Sequence, residues 1–471
     1  MCGIVGFVGK QGNKEQVLDD MMKVIIHRGP DSAGKYVNDQ VALGFRRLSI
    51  IDLENGSQPM FNEDGEVGIV FNGEIYNSPE LRERFQAKGH VFKNSSDTET
   101  LVHGYEEYGE KLVHELRGMF GFAIWDNKKK RLFMARDFFG IKPVYYAMIH
   151  GNLVFGSEIK SILEFPGFKK EVNNEALEEY LSFQYSNLPE TFFKGVYRLL
   201  PGHYLTYQNG ELNVTQYFDP TLEPVSKDSQ EELVKKLTNV LEDSVDKHML
   251  ADVEVGAFLS SGVDSSYIAA KYSGKKTFTV GFFDKNNQYS ETQYAEECAK
   301  FLGLENYSHQ ITEEEYWGEM PKIMYHMDEP LADPAAIALY FVAREAAKQV
   351  KVVTSGEGAD EFFGGYTIYR EPLSLRWISW LPKSWRKSMA NLAEKLPEGM
   401  KGRSYIIRAS KSVEERFIGN ANIFTEDERK KLLKVKTNAP SPEALLAAKY
   451  KKMSKYDDTT KMQYIDLTNW L

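Results

Sequence analysis

Cysteine is nearly absent, and the two that occur, Cys2 and Cys298, stand far apart in a chain of 471 residues. Two thiols cannot build a disulfide framework or a four-cysteine zinc site, and a reducing compartment suits such usage. Long apolar runs are missing too. The best stretch, Ala335 to Ala347, is interrupted by Arg344 and Glu345 and reads as a buried helix rather than a bilayer span, which takes about 20 apolar residues. The opening MCGIVGFVGK lacks the basic flank and cleavage site of a secretory leader, so a cytoplasmic setting without a membrane partner is expected. No basic excess exists either: 58 Lys and Arg stand against 68 Asp and Glu, a net charge of −10, which argues against a nucleic-acid partner and for small metabolites. Two nucleotide signatures are also lacking, the lysine loop G-x-x-x-x-G-K-[ST] and the dinucleotide fingerprint G-x-G-x-x-G.

What is present is ordinary for a folded chain, with 42% hydrophobic and 27% charged residues and a length that suggests about two to three domains. In the first half, GMFGFAIWD, RLFMARD, PVYYAMI and NLVFGS are short apolar runs between turn residues, the pattern of antiparallel or mixed strands. EQVLDDMMKVII carries apolar residues at helical spacing and is stopped by HRGPD. The boundary is placed between about 208 and 228, where the chain turns polar, and QEELVKKLTNVLEDSVDKHML then predicts an amphipathic helix with Leu233, Leu237, Val240, Leu241 and Val245 on one face. Beyond it strand and helix alternate, which argues for a parallel sheet with ligands at the carboxyl ends of its strands. The stretch from about Leu373 is helical, basic and Trp-bearing.

Cys2 follows the initiator Met, so methionine removal would leave a free α-amine on the residue that carries the thiol. That amine, with an ordinary pKa of about 7.7–8.0, can serve as the nucleophile's own base. A frayed terminus with a chance cysteine is the competing reading, opposed by the strand-like CGIVGF. Three further segments have the makings of an amide-binding pocket: Arg47 for a carboxylate, Asn72 and Gly73 as oxyanion donors, and Glu74 with Asp97 for an ammonium. Taken singly, each is as readily a turn or a solvated charge. In order, CGIVGF, HRGPD, RRLSIID, FNGEIYN, SSDTE, GMFGFAIWD and RDFFGIKPVYY resemble the class II glutamine amidotransferases over residues 2 to 160. That resemblance implies a four-layer αββα N-terminal-nucleophile sandwich over residues 2–208, with a linker at 209–228. It further implies Cys2 as nucleophile, Asn72 and Gly73 as oxyanion hole, Arg47, Leu48, Ser49, Ile50 and Ile51 on the glutamine carboxylate, and Glu74 and Asp97 on its ammonium. Arg28 and Asp31 of HRGPD would be structural and gating.

In the second half, apolar Val255 to Leu259 runs into Ser260-Ser261-Gly262-Val263-Asp264-Ser265 and a helix, a turn whose free N–H groups suit phosphate. A serine-rich helix cap is the plain alternative. The segment resembles the S-G-G-x-D-S loop of the ATP-pyrophosphatases, except that Ser261 replaces the first glycine; a positive φ there would be strained. Ser355-Gly356-Glu357-Gly358-Ala359-Asp360-Glu361 with Gly364-Gly365-Tyr366 is similar to the signature of the glutamine-hydrolysing asparagine synthetase family. That resemblance implies an α/β parallel-sheet domain over residues 229–471 and a carboxylate activated as an acyl-adenylate. Leu259, Val280, Ser355 and Gly356 would frame the adenosine, Ser260, Ser261, Gly262 and Ser265 would hold phosphate, Glu357 would act as acid/base, and Asp264 and Asp360 would bind Mg2+. The family pattern continues past DLTNWL, so the domain is read as incomplete at Leu471. The expected activity is amidation of aspartate by glutamine with ATP. Another carboxylate acceptor, or a glutaminase or regulatory fragment, stays open, as does a homodimer.

Overall fold

The computed structural model describes residues 1–220, 222, 226–283, 291–397, 399–435 and 437–470. Two antiparallel sheets dominate the first half, and period-two patterning in their strands explains why they stack. In the strand Gly3–Val8, Ile4 and Val8 enter one core and Val5 and Phe7 another. This strand is central in the first sheet, ordered Val196–Arg198, Tyr145–Ile149, Asn152–Gly156, Gly3–Val8, Val41–Arg47, Ser32–Val37. The second sheet runs Glu211–Gln216, His203–Gln208, Arg131–Arg136, Gly118–Asp126, Val67–Ile75, Met60–Phe61. Ile4, Leu43 and Phe45 from one sheet meet Val70, Trp125 and Met134 from the other, so the layer between them is wholly side chain. The opposite faces are covered by the helices Lys14–Lys23 and Ile159–Leu163 on one side, and Ser78–Gln86 and Asp97–Tyr108 on the other. A four-layer αββα sandwich results, and both faces of each central strand are buried because a helix layer lies behind each sheet.

The predicted strands appear at Gly118–Asp126, Arg131–Arg136, Tyr145–Ile149 and Asn152–Gly156, and the first helix at Lys14–Lys23. The polar segment after Gln208 holds a strand, Glu211–Gln216, paired with His203–Gln208. It lies at the edge of its sheet and most of its residues are exposed, which is why its composition reads as a connection.

Among the described residues, a third sheet has four parallel strands in the order Glu305–Ile311, Lys276–Phe282, Val255–Phe258, Val352–Thr354. The helix Gln230–His248 precedes it, opened by a capping box from Ser229 and Glu232. Its predicted apolar face is only partly used: Val245 is buried, whereas Leu237 and Val240 are exposed. Periodicity reported which residues share a face, not whether anything covers it.

Contacts divide the chain into two compact units. The first comprises Met1–Asn173, Pro189–Asp219 and Asp228–Gly356, and so contains both the sandwich and the parallel sheet. The second comprises Asn174–Leu188, Pro220–Lys227 and Glu357–Leu471. It is helical, with Phe183, Tyr369, Phe417, Leu446 and Ile465 in its core, and the buried carboxylate of Asp466 accepts a hydrogen bond from Tyr369 Oη at 2.6 Å. No helix among the described residues is long and apolar enough to cross a membrane.

Candidate active site

The N-terminus is held rather than frayed, because the strand that follows Cys2 pairs on both edges. Arg28 Nε donates to the Cys2 carbonyl at 2.9 Å, and its Nη1 reaches Glu158 at 3.0 Å. Burial would raise Glu158, but His27, Arg28 and Lys160 outweigh it and hold the carboxyl down at about 2. Arg28 thus ties the first turn of HRGPD to the terminus, the structural duty expected of it. The Cys2 thiol lies against Leu48, whose N–H donates to Sγ at 3.4 Å. Burial pushes the thiol pKa up, against the Leu48 hydrogen bond and nearby positive charge, so the sulfur needs a base before it can attack. In this structure the α-amine belongs to Met1. Burial, then Arg28 and Lys142, lower it to about 5, so this amine is unprotonated at pH 7.

Cys2 opens onto a cavity of about 60 Å³. Arg47, Leu48, Ile50, Ile51, Asn72, Gly73, Glu74 and Asp97 line it with Cys2, so eight positions named from separate sequence segments converge on the thiol. Ser49 is not in the lining; its N–H donates outward to Asp31 Oδ2 at 2.9 Å. Arg47 has a duty the sequence did not reveal: its Nη atoms donate to the carbonyls of Ile51, Asp52 and Leu53, and so shape the loop that forms one wall. Asn72 is 1% exposed, and its Nδ2 has no hydrogen-bond partner. A buried amide N–H without an acceptor costs about 1–3 kcal/mol, so it marks a place where an oxygen is meant to sit. Gly73 is dictated by space: a Cβ there would lie 2.1 Å from the Met119 carbonyl of the neighbouring strand.

Two carboxyls share the cavity. Burial raises Glu74 to about 7, with Lys142 opposing and Asp97 adding to the shift. Burial likewise raises Asp97 to about 6 against its own hydrogen bonds, the first being from the Ile75 N–H at 2.9 Å. Lys142, also in the lining, went unnoticed in the sequence because it sits inside a strand-like motif. Its placement comes from Asp137, which is 1% exposed and accepts hydrogen bonds from the N–H groups of Phe120, Phe139, Ile141 and Lys142. One carboxylate thereby folds the whole Asp137–Lys142 turn. Acidic residues at strand ends are the signal that could have found it.

At the carboxyl end of the strand Val255–Phe258, the loop to the helix Val263–Lys271 is closed by its own serines. Ser260 N–H donates to Ser265 Oγ at 3.1 Å, and Ser265 Oγ–H donates to Gly262 O at 3.3 Å. Ser261 has φ 68°, so the missing glycine does fall at a left-handed position. Serine there is strained by about 1 kcal/mol. Ser261→Gly is therefore expected to raise stability by about 0.5 kcal/mol, read from the denaturant midpoint, with ATP affinity held or improved. A loss above about 1 kcal/mol would show that the hydroxyl is needed. Gly356 presses onto this loop: a Cβ there would stand 3.0 Å from Asp264 Cβ and 3.1 Å from Ser265 N. Leu259 places its side chain in an apolar cluster with Ala269, Ala295 and Ala299, so only its backbone faces the strand end, where its carbonyl accepts from Thr279 Oγ1 at 2.7 Å. Val280 packs between two apolar clusters. Cys298 borders the same cluster as Leu259. Asp264 and Ser355 are exposed. Glu357 and Asp360 belong to the second compact unit, where Glu357 is exposed and the Gly365 N–H donates to Asp360 O at 2.9 Å.

Within the first unit, the sandwich and the parallel-sheet segment are joined by ion pairs. Lys351 reaches Asp31 at 2.6 Å, Lys160 reaches Asp328 at 2.8 Å and Arg198 reaches Glu329 at 2.9 Å. Asp328 and Glu329 open the stretch DEPLADPAAIALY. Their carboxylates are engaged in these pairs.

Sandwich, thiol cavity and serine-closed loop define a two-part glutamine amidotransferase. A glutamine amidotransferase domain family matches residues 1–218, and the asparagine synthase family matches residues 236–471. The chain is 45% identical to glutamine-hydrolyzing asparagine synthetase 1 of Bacillus subtilis strain 168, over 100% of this chain and 76% of that protein. It is 41% identical to a putative glutamine-hydrolyzing asparagine synthetase of Mycobacterium tuberculosis, with the same coverage. Among solved structures, the glutamine phosphoribosylpyrophosphate amidotransferase of B. subtilis is similar at 16% identity and a TM-score of 0.35 over 65% of each chain. The chain belongs to the asparagine synthase family.

Proposed function

We propose that the chain converts aspartate, glutamine and ATP to asparagine, glutamate, AMP and pyrophosphate, with the amidase in residues 2–208 and the adenylating part in residues 229–471. The observation that carries the amidase half is the unpaired, buried Asn72 Nδ2 in the cavity that also holds the Cys2 thiol. After loss of Met1, the Cys2 amine takes the thiol proton and Sγ attacks the glutamine side-chain carbonyl. Asn72 Nδ2 and the Gly73 N–H receive the developing oxyanion, ammonia leaves, and water releases glutamate from the thioester. Glu74 and Asp97 hold the substrate ammonium, and Arg47 with the wall it shapes meets the carboxylate.

In the second half, the aspartate side-chain carboxylate attacks the α-phosphorus of ATP, pyrophosphate leaves, and ammonia displaces AMP. The Ser260–Ser265 loop cradles the phosphates. Asp264 and Asp360 offer the hard carboxylate oxygens that Mg2+ takes, and the ion when bound would shield phosphate charge. Glu357 would take the proton from the attacking nitrogen. A cytoplasmic setting suits both substrates and thiol. The test is one assay that follows glutamate, AMP, pyrophosphate and asparagine together, with and without aspartate. Glutamate alone would leave only the amidase half standing.

The raised carboxyls give this reading a pH signature. Glu74 and Asp97 lie above their free values, so the empty site is most stable with both protonated and loses stability as pH rises through about 6 and about 7. A bound ammonium offsets that loss only where the carboxyls are charged. Glutamine affinity of the Cys2→Ala chain, measured by titration calorimetry, is expected to fall about tenfold per pH unit below Glu74's value and more steeply below that of Asp97. A flat profile would remove both residues from the ammonium site.

A further inference from the structure

Outside the amidase cavity, four side chains from three separate segments converge in the sandwich's outer layer. His103 and Glu106 lie on the helix Asp97–Tyr108, His90 lies in the loop after the helix Ser78–Gln86, and Glu63 lies in the turn between Met60–Phe61 and Val67–Ile75. One ligand atom from each falls within 4.8 Å of all the others. His90 Nδ1 is 3.1 Å from His103 Nδ1 and 3.6 Å from Glu106 Oε2, while His103 Nδ1 is 3.0 Å from Glu106 Oε2. Glu63 lies 4.0 Å from His90 Nδ1 and 3.7 Å from His103 Nδ1. A tetrahedral ion with bonds of about 2.0–2.1 Å needs its ligands about 3.3 Å apart, and these separations bracket that value.

Both imidazoles turn Nδ1 toward one point. His90 turns Nε2 to Glu107 Oε1 at 3.1 Å, and His103, 1% exposed, has its unpartnered Nε2 4.0 Å from Glu99 Oε1. At His90 the Glu107 carboxylate favours a proton on Nε2 and leaves the Nδ1 lone pair directed at the common point, the arrangement seen behind metal-bound histidines, and His103 Nδ1 faces the same point. The acids are oriented as well: Asn62 Nδ2 donates to Glu106 Oε1 at 2.6 Å, and the Val91 N–H donates to Glu63 Oε1 at 2.9 Å.

We propose that Glu63, His90, His103 and Glu106 bind one divalent transition-metal ion of borderline softness, with Zn2+ the best match to two nitrogens and two oxygens. The ion fastens two loops to the helix whose first residue, Asp97, lines the amidase cavity, and its role is structural. Because all four positions are filled by protein, no place is left for a reacting water.

The test uses the full chain carrying Cys2→Ala and Cys298→Ser, so that no thiol competes for metal. After purification it is loaded with Zn2+ alone, dialysed and analysed for metal, and Co2+ is used in parallel for its visible ligand-field spectrum. About one equivalent per chain, with a tetrahedral cobalt spectrum, is expected. His90→Gln should lose the bound metal. Glu63→Gln, on the exposed rim and least disturbing to the fold, should weaken binding at least about tenfold, and Glu107→Gln should weaken it about tenfold through His90. A chelator should lower the melting temperature of the loaded parent but not of the His90→Gln chain. Uptake well below one equivalent, or equal uptake by parent, His90→Gln and Glu63→Gln, would overturn the site and leave a hydrogen-bonded histidine pair.

Discussion

Replacing Cys2 by alanine is expected to lower glutamine hydrolysis and glutamine-dependent asparagine formation by about 10⁴-fold or more, while synthesis from supplied ammonia stays within about twofold. The first half of that expectation follows from the cavity. The described lining contains one thiol, held by Leu48 at its rim, and neither a water nor a carboxyl of the lining can form the thioester. The second half follows from packing. The strand Gly3–Val8 keeps both neighbours and its buried Ile4, Val5 and Phe7 whether or not Sγ is present, so the fold should lose little. The measurement is a pair of progress curves, one with glutamine and one with ammonium, on the same preparation. Equal loss in both would mean that Cys2 supports structure rather than chemistry, and the two-site reading would fall.

Asp264→Ala should have the mirror-image effect, reducing aspartate-dependent AMP formation by about 10²–10³-fold with glutaminase unchanged. Asp264 stands exposed in the first turn of the helix Val263–Lys271. A carboxylate at a helix N-terminus stabilises it by about 0.3–1 kcal/mol, so a purely structural role predicts a small melting shift and near-normal turnover. A role on the nucleotide predicts the reverse. Its neighbour Gly356 lies close behind it, and a Cβ there, 3.0 Å from Asp264 Cβ, would make the loop give by a few tenths of an ångström. Aspartate-dependent exchange of pyrophosphate into ATP is the direct readout, and retained exchange would reduce Asp264 to a helix cap.

These opposite phenotypes would be informative because the two chemistries are physically tied. Lys351 of the segment entering Ser355 reaches Asp31, which also accepts the Ser49 N–H beside the amidase wall. The salt link with Lys351 is the main cause that lowers the Asp31 pKa, with the Ser49 N–H second, so this link persists through mildly acidic pH. The gating role expected of HRGPD thus has a physical contact from which it can act.

The sequence by itself named most of the residues that line the cavity at Cys2 and determined the class of both halves. Strand alternation, a terminal Cys-Gly, and asparagine and glycine in one strand are local facts, and local facts are legible in one dimension. The strained Ser261 was legible for the same reason, since a φ preference belongs to a single residue. Only the tertiary structure decided which polar groups meet. That Arg47 spends its Nη donors on the wall, that Asp137 folds the turn presenting Lys142, and that Asp328 and Glu329 answer Lys160 and Arg198 depend on residues brought together from separate segments. The Glu63–His90–His103–Glu106 cluster has no regular spacing to announce it, and Leu237 and Val240 are exposed although their periodicity matched a buried face. Hydrophobic pattern follows the local backbone period, whereas ion pairs and ligand clusters follow distance in space, which only the packed chain defines.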